Sequence, residues 1–374
     1  MNITNNKFIP LAIPHIQGDA VNRVKKVIED NWVSSVAPGV LEFENSIANF
    51  VSSKFALATI TGSAALHLAL AALGIGKGSK VLVPDLTFVA TINSVLAVGA
   101  IPILVDINNY SWTIDINLTK EAIKIHKPDA MIVVHTLGHP AEIDEITNIC
   151  SENNILLIED AAAQVGAKYK EKNIGTFGDA GIYSFNGNKL FTTGAGGALL
   201  IQNENYKNKA ELLYKQGRIN SKEYIYSDVG FNYRMCNINA AFGLSQLEYI
   251  DKLINLKLHL SKVYDEAFTG IERFSLMPRL EWSKGSYVWL YSLKTKNKNE
   301  SLSLINFLQE CNIEGKLFWN GLSTQEPYKK FERVLNGTSE LLSGSIVSLP
   351  CSTSITELEQ ERVIESVKRW EISK

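Results

Sequence analysis

Short apolar runs recur along residues 55–202 and are separated by amphipathic segments. The runs are FALATI, KVLVP, IPILVDI, AMIVVH, ILLIED, AGIYSF and GALLIQ. Short continuous apolar runs of this kind are typical of buried strands. Between them, segments such as Ala64 to Leu73 and Glu142 to Glu152 place apolar residues at helical spacing. The alternation predicts an α/β fold in which helices cover both faces of a sheet.

The pattern changes after about residue 240. The segment AAFGLSQLEYIDKLINLKLHLSKVYDEAF carries apolar residues at three- and four-residue steps and predicts one long helix that connects two domains. The rest mixes the strand-like runs SYVWLYSL and IVSLP with helical segments at Ser301 to Glu310 and Glu357 to Trp370. Since single cores stop growing at roughly 250–300 residues, we expect two domains. We predict a large α/β domain over 1–250 and a smaller α+β domain over 251–374.

The charge balance limits the kinds of partner. The 374 residues include 37 basic and 39 acidic side chains without a basic run, so we expect neither nucleic acid nor a membrane surface as partner. Four cysteines lie far apart without a CxxC pair, which favours thiols in a reducing compartment. The start, MNITNNKFIPLAIP, has no basic and apolar signal pattern. We therefore expect a cytoplasmic protein.

Polar residues follow three of the predicted strands, where ligands bind in open α/β sheets because helix N-termini and loop amides converge there. Gly62 and Ser63 open a helix and suit a phosphate, although on this feature alone an ordinary Ser helix cap is the commoner explanation. Asp160 ends an apolar strand and suits a protonated pyridine nitrogen, or it caps the next helix. Lys189 lies in a Gly/Asn-rich loop and is either a solvated surface residue or a Schiff-base lysine, which needs a desolvated setting.

Two other patterns are discounted. The glycine-rich stretch Gly74 to Ser79 follows a helix and precedes a strand, the reverse of the order that phosphate binding requires, so it predicts a turn. His135 and His139 are four positions apart, but Gly138 and Pro140 interrupt any helix there. We therefore predict no metal site.

Several motifs together resemble the sugar-nucleotide aminotransferase family of fold-type I pyridoxal-phosphate enzymes. EDAA at a strand end is followed about twenty-five residues later by SFNGNK and then by TTGAGGALL. The resemblance extends over nearly the full chain through NWVSS, TGSAALHLAL, PDLTFVATINS, HTLGHPAEID, GFNYRMCNINAAFGLSQLE and SLPCS. It implies a mainly parallel seven-stranded sheet flanked by helices, with a smaller α+β C-terminal domain.

The resemblance also implies a role for individual residues. Lys189 would hold pyridoxal 5'-phosphate covalently and act as the base, and Asp160 would pair with the pyridine nitrogen. Phe88 would stack on the ring, and Gly62, Ser63 and Ser184 would contact the phosphate. Asn232 would reach the phosphate of the neighbouring subunit, which implies a homodimer with shared sites.

The implied reaction moves an amino group in two halves. Glutamate would leave its nitrogen on the cofactor as pyridoxamine 5'-phosphate, and a keto sugar linked to a nucleotide would then collect it. SFNGNK, TTGAGG and HTLGHP look most like members that aminate carbon 4 of 4-keto-6-deoxy sugars for cell-surface polysaccharide or lipopolysaccharide. The alternatives are a pyridoxamine-dependent sugar dehydratase, in which histidine replaces the lysine, and a non-catalytic regulatory member of the fold.

One position departs from the family pattern. Three residues after the aspartate, where the family usually has a polar residue, this chain has Ala163, followed by Gln164. We expect either Gln164 to reach the cofactor through a local shift or the substrate to differ. Candidate substrate contacts are Trp32, Ser34, Ser35, Phe318 and Trp319, and each aromatic residue among them could equally be core or interface packing.

Overall fold

The computed structural model describes residues 7–220 and 222–373. Residues 1–6, on which part of the N-terminal prediction rests, lie outside the described residues. The helices are α1 (Ala20–Glu29), α2 (Pro38–Val51), α3 (Gly62–Ala72), α4 (Val89–Ala97), α5 (Ile116–His126), α6 (Ile143–Glu152), α7 (Glu204–Tyr214), α8 (Asn237–Leu247), α9 (Ile250–Phe268), α10 (Lys298–Glu310), α11 (Thr338–Leu342) and α12 (Glu357–Ile372). The strands are β1 (Phe55–Thr59), β2 (Lys80–Pro84), β3 (Ile101–Val105), β4 (Ala130–Val134), β5 (Leu156–Asp160), β6 (Lys168–Tyr169), β7 (Lys172–Asn173), β8 (Ala180–Ser184), β9 (Gly197–Ile201), β10 (Arg218–Asn220), β11 (Ile225–Tyr226), β12 (Phe274–Leu276), β13 (Ser292–Thr295), β14 (Lys316–Leu317), β15 (Arg333–Val334) and β16 (Ile346–Ser348).

The main sheet has the strand order β1-β9-β8-β5-β4-β2-β3-β15. Only β9 runs antiparallel to its neighbours, and every other pair in this sheet is parallel. All seven apolar runs found in the sequence form strands of this sheet. The predicted fold class is confirmed, and the structure adds β15, a short eighth strand that the C-terminal part of the chain contributes to one edge.

Apolar side chains cover both faces of the sheet because successive strand residues point in opposite directions. On β2, Leu82 packs into the core beneath α2, α6 and α8, whereas Val81 and Val83 pack into the core beneath α3, α4 and α7. The five residues of β4 and of β8 are all buried, as expected for strands that are covered on both sides.

The predicted single helix after residue 240 is wrong, because it is divided at residues 248–249 into α8 and α9. Ala240 and Leu244 of α8 are buried with the main sheet, and Ile250 and Leu253 at the start of α9 share that core. Tyr264 and Phe268, nearer the end of α9, are buried with the C-terminal sheet. The helix α9 therefore packs against both cores.

A second sheet, with the order β12-β13-β16-β14, forms in the C-terminal part of the chain. Of the run predicted as the strand SYVWLYSL, only its last two residues belong to β13. Residues 286–291 instead follow an irregular path along the loop after β4, where the Trp289 N–H donates to the Leu137 carbonyl at 2.9 Å. The division into domains at residue 250 stays a prediction.

Two buried aspartates connect the C-terminal segment to the ends of β2 and β3. Asp85 accepts the backbone N–H and the hydroxyl of Ser323, at 2.7 and 2.8 Å, and the hydroxyl of Ser339 at 2.5 Å. Asp106 accepts the backbone N–H groups of residues 336–339. The chain that follows β14 is thereby held against the carboxyl edge of the main sheet. No helix in the described part of the chain is long and apolar enough to cross a membrane.

Candidate active site

A cavity of about 470 Å³ lies where the carboxyl ends of the central strands face the C-terminal sheet. This volume lies within the range of cavities that bind cofactors and small ligands. Its walls come from the start of α3, the start of α4, the ends of β4, β5 and β8, the loop after β8 and the chain around β14. The polar and aromatic residues that line it include Thr61, Ser63, Thr87, Phe88, His135, Asp160, Ser184, Asn186, Asn188, Lys189, Trp289, Lys316, Phe318 and Trp319.

The Lys189 amine lies inside this cavity rather than in bulk solvent. Its Nζ atom is 3.9 Å from the centroid of the Trp289 ring and makes no hydrogen bond within residues 7–220 and 222–373. The side chain keeps partial exposure, through the cavity, but the amine itself is enclosed. Burial lowers the pKa of Lys189 from 10.5 to about 8, although the nearby Asp160 charge opposes the shift. An amine of this pKa is available as a nucleophile and a base near neutral pH.

Asp160 ends β5 and is 7% exposed. One carboxylate oxygen accepts the Thr91 hydroxyl at 2.8 Å, and the other accepts the Ala162 N–H at 3.2 Å. Burial raises the pKa of Asp160, while the Thr91 hydrogen bond and the Lys189 charge oppose that rise. A cationic partner would favour the ionised form. The alternative of a helix cap is wrong, because no helix follows Asp160 before residue 168.

Glu159, the neighbour of Asp160, has a different task. Since strand residues alternate, its side chain points to the opposite face and accepts N–H groups of Gly175, Phe177 and Gly178 at 2.6–2.8 Å. Its Oε2 also lies 3.2 Å from Nε2 of His135. Glu159 therefore fixes the loop before β8 and does not line the cavity in the described structure.

The start of α3 has the geometry of an anion site. Thr61 caps the helix, since its hydroxyl accepts the Ala64 N–H at 3.0 Å, so the alternative in which Ser63 is the cap is wrong. The Ser63 hydroxyl thus stays available to a ligand beside the helix N-terminus. Gly62 is required by close packing, because a Cβ atom there would lie 2.9 Å from Cβ of Ser184. Ser184 itself ends β8 on the cavity wall.

Aromatic rings form part of the cavity wall. Phe88 precedes α4 and is 52% exposed, with its ring centroid 5.6 Å from that of Trp319. The Trp319 ring centroid lies 4.2 Å from that of Phe318 and 6.4 Å from that of Trp289. Phe88, Phe318 and Trp319, all predicted from the sequence, are therefore brought to one cavity.

Other predicted residues are not brought to it. Gln164 is fully buried, and its Nε2 donates to the His135 carbonyl at 3.1 Å, so it does not line the cavity in the described structure. The tight turn after β5 sends its side chain beneath the loop that follows β4. Two further groups lie outside this chain's own cavity, namely Asn232, which is exposed, and Trp32, Ser34 and Ser35, which follow α1.

Sequence reasoning missed several residues of this site. Among them are Thr91, which binds Asp160, and the cavity-lining residues Thr87, His135, Trp289 and Lys316. Thr91 lies in the motif PDLTFVATINS and Lys316 lies two residues before Phe318, so both are close in sequence to predicted site residues. The two histidines considered for a metal diverge, since His135 pairs with Glu159 and His139 lies against Trp282.

Comparison with known proteins agrees with this geometry. The sequence profile of the DegT/DnrJ/EryC1/StrS aminotransferase family matches residues 14–368. This chain belongs to that family. EpsN of Bacillus subtilis strain 168, named for a pyridoxal phosphate-dependent aminotransferase, is 35% identical over 98% of this chain and 99% of its own length. The GDP-perosamine synthase of Caulobacter vibrioides is 34% identical over 95% of this chain and 96% of its own.

Solved structures of family members agree in fold. A DegT/DnrJ/EryC1/StrS aminotransferase from Brucella abortus superposes with a TM-score of 0.88 at 26% identity, covering 95% of both chains. The sugar aminotransferase Spr1654 of Streptococcus pneumoniae in its pyridoxal-phosphate form gives a TM-score of 0.90, covering 97% of this chain and 98% of its own, at 24% identity. The predictions of a fold-type I aminotransferase and of pyridoxal phosphate as its cofactor are thereby confirmed at the level of the family.

Proposed function

We propose that this chain transfers the amino group of glutamate to carbon 4 of a 4-keto-6-deoxy sugar linked to a nucleotide, for the synthesis of a cell-surface glycan in the cytoplasm. Membership of the family supports a pyridoxal-phosphate-dependent transfer to the keto group of such a sugar. The GDP-perosamine synthases among the relatives, at 32% and 34% identity, support the sugar class and carbon 4. The glutamate donor rests on the family resemblance.

The observation that carries the proposal is the enclosed Lys189 amine in the same cavity as the buried Asp160 carboxylate. These residues fit pyridoxal 5'-phosphate. Phe88 would hold the ring, Asp160 would pair with the ring nitrogen, and Ser63 and Ser184 would hold the phosphate. Lys189 would supply the amine for covalent attachment. The residues at both ends of the cofactor are thus present in one cavity.

When bound, pyridoxal phosphate supplies an electron-accepting ring and a carbon that carries nitrogen between the two substrates. The protein's residues then have distinct tasks. Asp160 keeps the proton on the pyridine nitrogen, and Thr91 holds the carboxylate in place. The Lys189 Nζ atom takes the proton from the α-carbon of the donor and later delivers one to the former keto carbon of the sugar. The aromatic wall limits the access of water to that transfer.

A homodimer with shared sites is the proposed assembly. The loop and hairpin that contain β10 and β11 expose Ile219, Tyr224, Ile225, Tyr226 and Val229, of which Val229 is 87% exposed. Such a group of exposed apolar side chains marks an interaction surface. Asn232 follows directly and is exposed, so a neighbouring subunit packed on this surface would place Asn232 close to that subunit's cavity.

Product analysis tests the reaction. The purified protein is offered glutamate with UDP-, GDP- and dTDP-linked 4-keto-6-deoxy sugars, and the aminated product is identified by mass spectrometry. Borohydride should fix the cofactor onto Lys189 in the wild type and onto no residue in Lys189→Ala. A dehydrated product without gained nitrogen would favour the dehydratase alternative. A protein that takes up no cofactor would favour the regulatory alternative.

A further inference from the structure

We propose that Trp289 is a positioning residue for Lys189, holding both the peptide that precedes it and the amine itself. The inference rests on the proposed role of Lys189. The Trp289 side chain is 6% exposed, and its indole N–H donates to the carbonyl of Asn188 at 2.8 Å. Its ring face lies beneath the Lys189 Nζ atom at 3.9 Å from the centroid. One side chain therefore contacts the lysine at its backbone and at its reactive atom.

The two contacts act on different parts of the lysine. The Asn188 carbonyl belongs to the peptide bond that joins Asn188 to Lys189, so its hydrogen bond fixes the orientation of the loop where the side chain begins. The negative face of an indole attracts an ammonium group. Nζ has no hydrogen-bond partner in the described chain, so its ammonium form is stabilised by the Trp289 ring and by the nearby charge of Asp160.

The position of Trp289 is itself determined by its surroundings. Its backbone N–H donates to the Leu137 carbonyl at 2.9 Å, and its carbonyl accepts Nζ of the buried Lys257 at 2.7 Å. Gly138 has φ +110°, and a Cβ atom there would lie 2.5 Å from the Tyr287 carbonyl oxygen. The loop after β4 and the chain before β13 therefore touch backbone to backbone. These contacts leave the indole little freedom to move.

This arrangement matters while the lysine amine is free. As Lys189 takes the proton from the donor carbon, the electron pair of the broken C–H bond stays with the substrate and cofactor, and Nζ becomes an ammonium group. The same nitrogen then gives a proton back. The Trp289 ring stabilises the ammonium form between these two transfers and holds the amine inside the cavity. Loss of the ring should therefore slow proton transfer rather than substrate binding.

Two substitutions separate the contacts. Trp289→Phe keeps a ring face but removes the N–H, whereas Trp289→Leu removes both. The matched control is Trp282, whose indole N–H also donates to a backbone carbonyl, that of Pro140 at 3.0 Å, but which does not line the cavity in the described structure. Trp282→Phe and Trp282→Leu therefore report the cost of losing a comparable tryptophan away from the lysine.

The measurement is a single turnover of the cofactor-loaded enzyme with glutamate and with α-deuterated glutamate. Rates are divided by the amount of Lys189 that borohydride traps, which removes differences in folding and cofactor content. We expect Trp289→Leu to lower the rate per trapped site roughly tenfold and to raise the isotope effect. Trp289→Phe should lose roughly threefold, and both Trp282 variants should match the wild type.

Equal rates and isotope effects in the wild type and both Trp289 variants would overturn the inference. So would equal losses at Trp282 and Trp289, because they would show a general structural effect. If borohydride traps no lysine in the wild type, the proposed function fails and this inference fails with it. A wild type that is trapped normally, with unaffected Trp289 variants, refutes only the role of Trp289.

Discussion

Replacing Thr91 by valine would remove one hydrogen bond from Asp160 with little change in side-chain shape. The Thr91 hydroxyl is fully buried, lies 2.8 Å from Oδ2 of Asp160 and 3.0 Å from the Thr87 hydroxyl. In Thr91→Val, Oδ2 loses this donor and the Thr87 hydroxyl loses its neighbour. The Ala162 N–H still donates a hydrogen bond to Oδ1 of Asp160 at 3.2 Å. The carboxylate would remain in place but would be less stable in its charged form.

The size of the effect follows from the loss of a hydrogen bond to a charged group, which contributes about 1.5–3 kcal/mol. Because the lost hydrogen bond stabilises the charged form, the pKa of Asp160 should rise in the variant. Burial already raises this pKa, and the substitution adds to that shift. A carboxyl that is harder to ionise pairs less well with a protonated pyridine nitrogen. The affinity for pyridoxal phosphate should fall roughly ten- to a hundredfold.

The assay follows the release of cofactor during dilution by the loss of its visible absorbance. Thr91→Ser should restore most of the affinity because it keeps the hydroxyl. Thr119→Val is a matched control, since the fully buried Thr119 hydroxyl donates to a backbone carbonyl, that of Asp115 at 2.7 Å, far from the cavity. If Thr91→Val holds the cofactor as tightly as Thr119→Val does, the hydrogen bond from Thr91 to Asp160 does not contribute to cofactor binding.

Three further outcomes are expected. Burial lowers the pKa of Lys189 from 10.5 to about 8. The charged amine therefore destabilises the cofactor-free fold below about pH 8, and this effect disappears above about pH 10.5. Lys189→Met should raise the free energy of unfolding at pH 7 but not at pH 11, as measured by urea denaturation. Gly62→Ala should cost about 1–3 kcal/mol in thermal unfolding and weaken cofactor binding, because its Cβ would meet Ser184; unchanged binding would remove this helix start from the site. Asn232→Ala should speed cofactor loss in a dimer that light scattering shows to be intact, and a normal rate of loss would exclude Asn232.

The sequence predicted most of the sheet because its strands are buried on both faces. Runs such as AMIVVH and ILLIED begin with a continuous apolar stretch and close on polar residues, His135 in the first and Glu159 and Asp160 in the second. In SYVWLYSL the same apolar pattern was misleading. Its side chains are buried as well, but the backbone there bonds to a loop instead of a strand. Apolar content alone does not distinguish the two cases.

The parts of the site that escaped prediction depend on contacts between distant positions. Thr91 meets Asp160 across 69 residues, and Trp289 meets Asn188 across 101. No local pattern marks such a pair. Gln164 was predicted to contact the cofactor because it lies four residues after Asp160 in the sequence. The tight turn after β5 instead points its side chain away from the cavity. The motifs located Lys189 and Asp160, but the surrounding contacts required the fold.

The two aspartates at the ends of β2 and β3 have an evolutionary consequence. The stretch that carries Phe318 and Trp319 is bounded by strand pairing of β14 on one side and by Asp85 and Asp106 on the other. Its backbone is thus held on both sides of the rings, and Phe318 is also buried in the C-terminal core. Substitution of Trp319, which is less buried, would therefore change the cavity wall while Asp160 and Lys189 stay in place. Under the proposed function, a lineage could in this way accept a new sugar and keep the residues that transfer the amino group.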